Sequence, residues 1–128
     1  MKVWRVMAII YEYVSPGIID AKNESGAVTR LQFTAKGELK SFTNPLQQTT
    51  QYTYAANGYL SQITAPGNTI SKYSYDSKGR LLSQTDPLDR TVTYTYNATL
   101  DTPLTVKDQR GNVTTYSYST SGVSKVAL

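Results

Sequence analysis

Three aspartates, Asp76, Asp86 and Asp89, lie close together in the sequence and are its first candidates for chemistry. Two carboxylates at a suitable separation can act as general acid and base in glycoside hydrolysis, and several can hold a calcium ion. No calcium loop of the EF-hand pattern surrounds them, and each stands in a turn-like segment where Asp accepts hydrogen bonds from backbone N–H groups. We therefore interpret them as turn residues, and a carboxylate pair stays open as the alternative.

The other familiar catalytic and cofactor-binding chemistries lack the residues that they need. The sequence of 128 residues has no cysteine and no histidine, which removes thiolate metal sites, the usual general base and the commonest neutral metal ligand. It also has no G-x-S-x-G nucleophile motif, no P-loop and no dinucleotide-binding fingerprint. We therefore predict a protein that is not an enzyme and that uses no cofactor and no metal.

The eleven tyrosines are the second group that could do chemistry. Aromatic rings on a sheet can stack against sugar rings or unstacked bases. They can equally form cross-strand pairs that fix the register of the sheet, each stabilising by roughly 0.2–1 kcal/mol. Their regular spacing favours the structural role. Tyr59 stands where the next copy of the pattern has Arg80, and we predict it as the possible ligand contact, for example with carbohydrate.

The charges give a third candidate surface. Thirteen Lys and Arg against nine Asp and Glu leave a net charge of +4, but the basic residues are scattered, so we predict no nucleic-acid partner. Arg80, Arg90 and Arg110 occupy related places beside turns and are expected to line one edge of a sheet. Such a row could bind phosphates or acidic glycans, although edge charges also prevent aggregation of sheets.

The N-terminal region offers no chemistry. Its apolar run from Val6 to Ile10 is shorter than a signal-peptide core and lacks a small-residue cleavage site, so we interpret it as a strand. No segment of the sequence is long and apolar enough to be predicted as a membrane span.

The elements that must position these residues recur at a fixed interval. An aromatic residue returns at Phe33, Tyr54, Tyr75, Tyr96 and Tyr118, in steps of 21, 21, 21 and 22 residues. Fixed spacing of this kind is the signature of a repeat protein, in which each unit packs mainly on its neighbours.

Each repeat is predicted to be one β-hairpin. From Thr91 to Tyr96, valine and tyrosine alternate with threonine, which is the period-two pattern of a strand. A turn with glycine follows, because glycine supplies positive φ, and a shorter strand then returns to a turn with proline. The segment from Asn97 to Pro103 holds one extra residue and no glycine, so a wider turn is expected there. Glycine turns are predicted at 35–37, 56–58, 77–79 and 120–122, and proline turns at 44–45, 65–67 and 86–87.

The central repeat resembles the YD repeats of the Rhs family, which occur in bacterial polymorphic toxins, Tc-toxin cocoon subunits and animal teneurins. The resemblance is carried by tyrosine-aspartate, then glycine-arginine-leucine, then aspartate-proline. The residues that we predict to define the repeats are Tyr52, Tyr54, Gly58, Tyr73, Tyr75, Asp76, Gly79, Arg80, Leu81, Asp86, Pro87, Tyr94, Tyr96, Tyr116 and Tyr118.

The resemblance implies a structural role. In that family the repeats form a long β-ribbon that spirals into a hollow shell around a toxin polypeptide or the protein's own core. The family's self-cleaving core ends in an Asp-Pro-x-Gly-Leu motif; here Asp89 replaces the glycine and no leucine follows, so the cleavage motif is absent. Asp tolerates the left-handed conformation, so the turn itself is expected to form. A secreted or bacterial cell-surface location is implied as well.

Taken together, the sequence predicts an all-β fold: an antiparallel meander of about ten strands in hairpins of about 21 residues, forming an open curved sheet. Residues 1–128 are expected to form a single YD-repeat array, degenerate at the N-terminus and truncated at the C-terminus. A single sheet cannot hide its apolar face alone, so we expect self-association or an enclosed polypeptide. The predicted function is a non-catalytic scaffold; the alternatives are a carbohydrate-binding module and a unit that assembles by edge pairing.

Overall fold

The computed structural model of the chain describes residues 8–119 and 122–128, and these consist of β-strands joined by short turns. The predicted all-β fold and antiparallel meander are confirmed, because twelve strands within the described residues follow one another in the sheet in chain order. The strands are β1 (Ile10–Ser15), β2 (Ile18–Lys22), β3 (Val28–Phe33), β4 (Leu39–Thr43), β5 (Thr49–Tyr54), β6 (Leu60–Ala65), β7 (Thr69–Tyr75), β8 (Leu81–Thr85), β9 (Thr91–Tyr96), β10 (Pro103–Lys107), β11 (Val113–Ser119) and β12 (Gly122–Ala127).

The number of strands exceeds the predicted ten at the beginning and the end of the chain. The degenerate N-terminal region forms a hairpin of its own, β1 with β2, and β12 pairs with β11. Two predictions extend beyond the described residues. The strand from Val6 begins before them, although Ile10 does start β1, and the turn predicted at 120–122 includes two residues outside them.

The chain divides into two compact units. The first contains the described residues up to Thr53 together with Ile63–Thr69, and the second contains Tyr54–Gln62 and Ile70–Leu128. The organisation of residues 1–128 as one array stays a prediction. No helix long and apolar enough to span a membrane occurs in the part of the chain that the structure describes.

In the first unit the strand register separates apolar from polar side chains. Ile19 pairs with Leu31, and Leu31 pairs with Phe42, so the three apolar side chains share one face of the sheet. Asp20 pairs with Arg30 in the same ladder, and the period-two alternation of strands puts these charged side chains on the opposite face.

In the second unit the same alternation produces a tyrosine face and a hydroxyl face. Tyr94 pairs with Val106 on one side of the sheet, and Thr95 pairs with Thr105 on the other. The two threonine hydroxyls are hydrogen-bonded to each other, with their oxygens 2.7 Å apart. Equivalent contacts between neighbouring strands join Ser74 to Ser83 at 2.6 Å and Thr85 to Thr91 at 2.9 Å.

The chain has no apolar core within its described residues. No apolar side chain there is buried, and the two residues that are buried, Asp20 and Ser41, are polar. The outermost tyrosines of β1 are the most open, since Tyr11 is 65% and Tyr13 is 82% exposed. The described strands belong to one sheet, and a sheet buries its apolar side chains only against a second layer.

Candidate functional site

One turn geometry recurs along the chain and places most of the predicted site residues. In the turn at 76–80 the N–H of Asp76 donates to the carbonyl of Arg80, and the N–H of Gly79 donates to the carbonyl of Asp76, both at 3.0 Å. We call the first, fourth and fifth residues the opening, left-handed and closing residues. The same two hydrogen bonds close the turns at 23–27, 34–38, 44–48, 55–59, 86–90 and 108–112.

The predicted glycine turns at 34–38, 55–59 and 76–80 and the predicted proline turns at 44–48 and 86–90 therefore share one geometry, a type I turn followed by a residue in the left-handed region. Gly58 and Gly79 hold that position with φ values of 84° and 85°, whereas Gln47 and Asp89 hold it with 62° and 57°. The predicted proline turn at 65–67 differs, because two successive residues, Gly67 and Asn68, have positive φ values of 79° and 59°. The expectation that Asp89 adopts the left-handed conformation is confirmed. Pro87 occupies the second position of its turn, where its fixed φ suits a type I turn.

The turn after Tyr96 is wider, as predicted. The N–H of Asn97 donates to the carbonyl of Thr102 at 2.8 Å, so the hydrogen-bonded loop contains one residue more than the others. Asp101, directly before the closing residue, takes the left-handed conformation with a φ of 53°. Pro103, however, lies in strand β10 rather than in the turn, at the first position of the strand, where its missing N–H costs least.

The carboxylate of the opening residue caps each turn that has one. Asp76 Oδ1 accepts the backbone N–H groups of Lys78 at 2.9 Å and Arg80 at 3.0 Å. Asp86 Oδ1 accepts those of Leu88 and Arg90 in the same way. These bonds, led by the backbone N–H of Arg80, hold the pKa of Asp76 below its usual value. The interpretation of these aspartates as turn residues agrees with this geometry.

No group of three carboxylates that could hold a metal ion occurs among the described residues. Asp76 and Asp86 lie at the two ends of β8, since the turn at 76–80 precedes that strand and the turn at 86–90 follows it. The structure therefore does not bring this pair together as an acid and a base.

Arg80 connects its own turn to the next one on the same edge of the second unit. Its Nε donates to Asp76 Oδ2 at 2.7 Å. One terminal nitrogen donates to Asp101 Oδ1 at 2.7 Å and to the carbonyl of Asn97 at 3.2 Å. The guanidinium carbon lies 4.9 Å from the centroid of the Tyr96 ring, a cation–π contact. Arg80 is thus the residue with the most partners in the second unit's turns.

The expectation that Arg80, Arg90 and Arg110 line one edge is wrong. Arg80 and Arg90 close turns at opposite ends of β8, because successive turns of a meander alternate between the two edges of the sheet. Arg90 binds the carboxylate of its own opening residue, Asp86, at 2.7 Å. Arg110 lies inside a turn, where its N–H donates to Asp108. No continuous basic row follows from this arrangement.

The paired tyrosines of the repeats are half-buried on alternate positions of their strands. The Tyr96 hydroxyl donates to the carbonyl of Leu81 at 2.8 Å, and burial raises the pKa of that phenol. Leu81 in turn pairs with Tyr75 across a bulge. Their role as residues that define the repeats stays a prediction. The half-buried tyrosines are Tyr52, Tyr54, Tyr73, Tyr75, Tyr94, Tyr96, Tyr116 and Tyr118.

Tyr59 is the closing residue of its turn and is 41% exposed. Its ring centroid lies 5.1 Å from that of Tyr75, with the two planes tilted by 32°, a separation typical of aromatic pairs. Its hydroxyl end lies against Gly79. The ligand contact at Tyr59 stays a prediction, and the structure adds that one side of the ring already packs on the next hairpin.

Sequence reasoning missed a polar concave surface in the first unit, with a volume of about 810 Å³. At its floor Arg30 binds Asp20 through two parallel hydrogen bonds of 2.7 Å each. This contact is the main cause that lowers the pKa of Asp20. Ser41, which is 7% exposed, donates to Gln32 beside it. The one available signal was Asp20, a charged residue that follows two isoleucines at the centre of strand β2.

Comparison with known proteins shows similarity in one sequence repeat and in the fold. Residues 75–99 match the family model of the RHS repeat, and no curated protein matches the chain. A structure of the Photorhabdus luminescens Tc holotoxin pore, with a mutation in TccC3, is similar with a TM-score of 0.61 and 20% identity, covering 79% of this chain and 5% of that one. A crystal structure of TcdB2–TccC3–Cdc42 is similar with a TM-score of 0.61 and 20% identity. The similarity covers 77% of this chain and 5% of that one.

The fold and its turns define a class of all-β protein, an antiparallel array of β-hairpins joined by capped turns. Within that class, residues 75–99 carry an RHS repeat, and part of each of the solved toxin structures has the same fold as this chain. The predicted resemblance is thereby confirmed, and a structural role of the Rhs type is supported. The chain spans about 5% of the length of the solved chains that it matches.

Proposed function

We propose that this chain is a non-catalytic segment of the wall of an Rhs-like protein that is secreted or displayed on a bacterial cell, and that the wall encloses a polypeptide. The RHS repeat and the fold shared with Tc-toxin structures support this role. The concave polar surface of the first unit supports an orientation in which the polar face is turned towards the enclosed chain.

The observation that carries the proposal is the absence of a buried apolar side chain among the described residues. A free globular domain stabilises itself by burying apolar side chains between two layers. A wall segment does not need its own second layer, because one face meets the enclosed chain and the other meets surrounding parts of the assembly. Polar groups such as Ser41 then become the most buried ones.

Lysine acetylation of the native assembly, isolated from the producing cells, tests this proposal. Lys40 lines the concave surface of the first unit, and Lys72 and Lys107 pair with threonines on the hydroxyl face of the second. We expect these three to react at least roughly tenfold more slowly in the assembly than in the isolated chain, as for contacts excluded from solvent. Lys36, exposed in the turn at 34–38, is the control and should react equally in both.

Lysine cross-linking with mass spectrometry then identifies what covers the polar face. Cross-links from Lys40 to a different polypeptide segment support the enclosing wall. Equal reactivity of Lys40 and Lys36 in the native assembly contradicts it. Binding of a glycan that is lost in Tyr59→Ala while the fold is kept would support the carbohydrate-binding alternative instead.

A further inference from the structure

Neighbouring turns on one edge of the second unit contact each other through two particular residues. In one contact Tyr59, a closing residue, lies over Gly79, the left-handed residue of the next turn along that edge. In the other, Arg80, also a closing residue, binds Asp101, the left-handed residue of the turn that follows. The two contacts are chemically unlike, yet they join the same two turn positions.

The Tyr59 contact requires a bare glycine. A Cβ atom added to Gly79 would overlap the hydroxyl and the adjoining ring carbon of Tyr59. The ring also packs on Tyr75, the residue before the opening residue of that turn. Tyr59 therefore fixes the neighbouring hairpin at two points, and its position depends on the missing side chain at residue 79.

The Arg80 contact requires an acceptor at the corresponding place. Its terminal nitrogen reaches Asp101 Oδ1 at 2.7 Å, and Lys78 Nζ binds the same oxygen at 2.9 Å. The guanidinium also packs on Tyr96, again the residue before the opening residue of the next turn. The two contacts thus match in both anchor points and differ only in the residues that meet.

We propose that, along the edge of the second unit that carries the turns at 55–59, 76–80 and 97–102, the closing residue of one turn and the left-handed residue of the next form a pairing rule that fixes neighbouring hairpins to each other. The rule is confined to this edge, because on the opposite edge the closing residue Arg90 binds Asp86 of its own turn, and the next turn has Gly111 in the left-handed position. Tyrosine is matched with glycine, and arginine is matched with aspartate. A mismatched pair either overlaps sterically or leaves the guanidinium without its acceptor. The rule adds to the register of the strands, because it acts between hairpins whose turns are not joined directly by a strand.

The first test substitutes Gly79→Ala and uses Gly111→Ala as its matched control. Both glycines have positive φ, 85° and 90°, so both substitutions add left-handed strain, but the nearest atom to a Cβ at Gly111 is the Lys107 Cε at 4.0 Å. Amide exchange of peptides covering β7 and β8 measures the local opening. We expect Gly79→Ala to increase opening roughly tenfold more than Gly111→Ala does in its own hairpin, because of the overlap.

If Gly79→Ala alone fails to fold, the double variant Tyr59→Ser with Gly79→Ala can still measure whether the overlap with the Tyr59 ring is the cause. Removing the ring should reduce the cost of the alanine to that of the Gly111→Ala control. The proposal is overturned if Gly79→Ala and Gly111→Ala cost the same, or if Tyr59→Ser leaves the cost of Gly79→Ala unchanged. Exchange in β2 to β4 of the first unit serves as the internal control for folding.

The second test exchanges one pair for the other. Arg80→Tyr alone places a ring against the Asp101 side chain, and Asp101→Gly alone removes the acceptor of Arg80. We expect each to increase opening of β8 to β10, and the double variant Arg80→Tyr with Asp101→Gly to return opening to within about threefold of the original chain, a strongly non-additive result. Additive effects of the two substitutions would overturn the pairing rule.

Discussion

Two of the Asp–Arg pairs of this protein, Asp20–Arg30 and Asp76–Arg80, look alike but have different surroundings. Asp20 and Arg30 in the first unit join neighbouring strands across the polar face, and Arg30 is the main cause of the lowered pKa of Asp20. Asp76 and Arg80 in the second unit lie within one turn, and the main cause of the lowered pKa of Asp76 is a backbone N–H bond. The lowered pKa of Asp20 therefore depends mainly on Arg30, whereas that of Asp76 depends mainly on the backbone of its turn.

This difference shows how each arginine contributes. Arg30 donates two hydrogen bonds to the carboxylate of the buried Asp20, so losing it leaves that group poorly solvated and without those donors. Arg80 can be lost while Asp76 still caps its turn through two backbone N–H groups. Its removal breaks the contact with the following turn instead. Arg30 thus stabilises the polar face through Asp20, whereas Arg80 connects its hairpin to the next one through Asp101.

The largest effect is expected for Arg30→Met, which keeps an unbranched apolar stem and removes the charge and the guanidinium donors. Asp20 is 9% exposed, and its carboxylate would lose both donors, so we expect opening of β2 to β4 to increase roughly tenfold. Amide exchange of peptides from these strands measures it. Lys40→Met removes a positive charge from the same concave surface and should change opening little. Equal effects of the two variants would mean that the pair itself contributes nothing.

A smaller effect with a clear sign is expected in the pKa values measured by NMR titration of the carboxyl carbons. In Arg30→Met the pKa of Asp20 should rise above its present lowered value, since the hydrogen bonds from Arg30, the main cause of the lowering, are gone. In Arg80→Met the pKa of Asp76 should stay below the usual 3.8, because the backbone N–H bonds remain. A rise of Asp76 as large as that of Asp20 would erase the distinction between the two pairs.

The same titration gives the direction of the pH dependence. Because the pKa of each carboxyl is lower in the folded chain, its contribution to stability is complete above the unfolded value near 3.8 and is lost as the pH falls through the folded value. Urea unfolding between pH 5 and about pH 2 should therefore show falling midpoints. Asp76→Asn should weaken this pH dependence in the second unit, because an amide does not titrate in this range. The turn itself should be kept, since an amide oxygen can accept the same two N–H groups, as that of Asn44 does.

Ala55→Asn should separate the capping effect from charge. The turn at 55–59 has alanine as its opening residue, so its side chain cannot accept the N–H groups that Asp76 accepts in the next turn. We expect stabilisation of about 0.5–1 kcal/mol, the value of one added hydrogen bond, reduced because Asn57 already accepts one of these N–H groups. Urea unfolding measures it. Destabilisation would show that the cap contributes less than the turn's own backbone.

The smallest effect is expected for Thr102→Val, in the turn that receives Arg80. Thr102 Oγ1 is the one buried side-chain oxygen or nitrogen in the described residues without a hydrogen-bond partner. Replacing the hydroxyl by a methyl group of similar shape should leave stability unchanged or raise it by up to about 1 kcal/mol. Urea unfolding compared with Thr99→Val, an exposed position in the same turn, checks it. A clear loss of stability would reveal a bonding role for this hydroxyl.

The strands could be predicted from the sequence because their signal is local. The alternation from Thr91 to Tyr96 and the tolerance of Asp89 for a left-handed turn depend only on neighbouring residues. The Asp20–Arg30 pair could not be predicted, because it depends on the length of the turn at 23–27, which sets the register that brings the two side chains together. The left-handed conformation of Gln47 gave no signal either, since no glycine marks it.

The shared turn geometry has a consequence for how such a chain can change. Since seven of the turns described here close the same ladder over five residues, the five codons of one turn can replace those of another without shifting the register of the strands on either side, provided that the contacts between neighbouring turns, such as that of Tyr59 with Gly79, are kept. Duplication or loss of a whole hairpin by unequal recombination likewise joins identical connections where both junctions lie in these five-residue turns. The gene can therefore grow or shrink one hairpin at a time while the reading of every remaining strand stays in register.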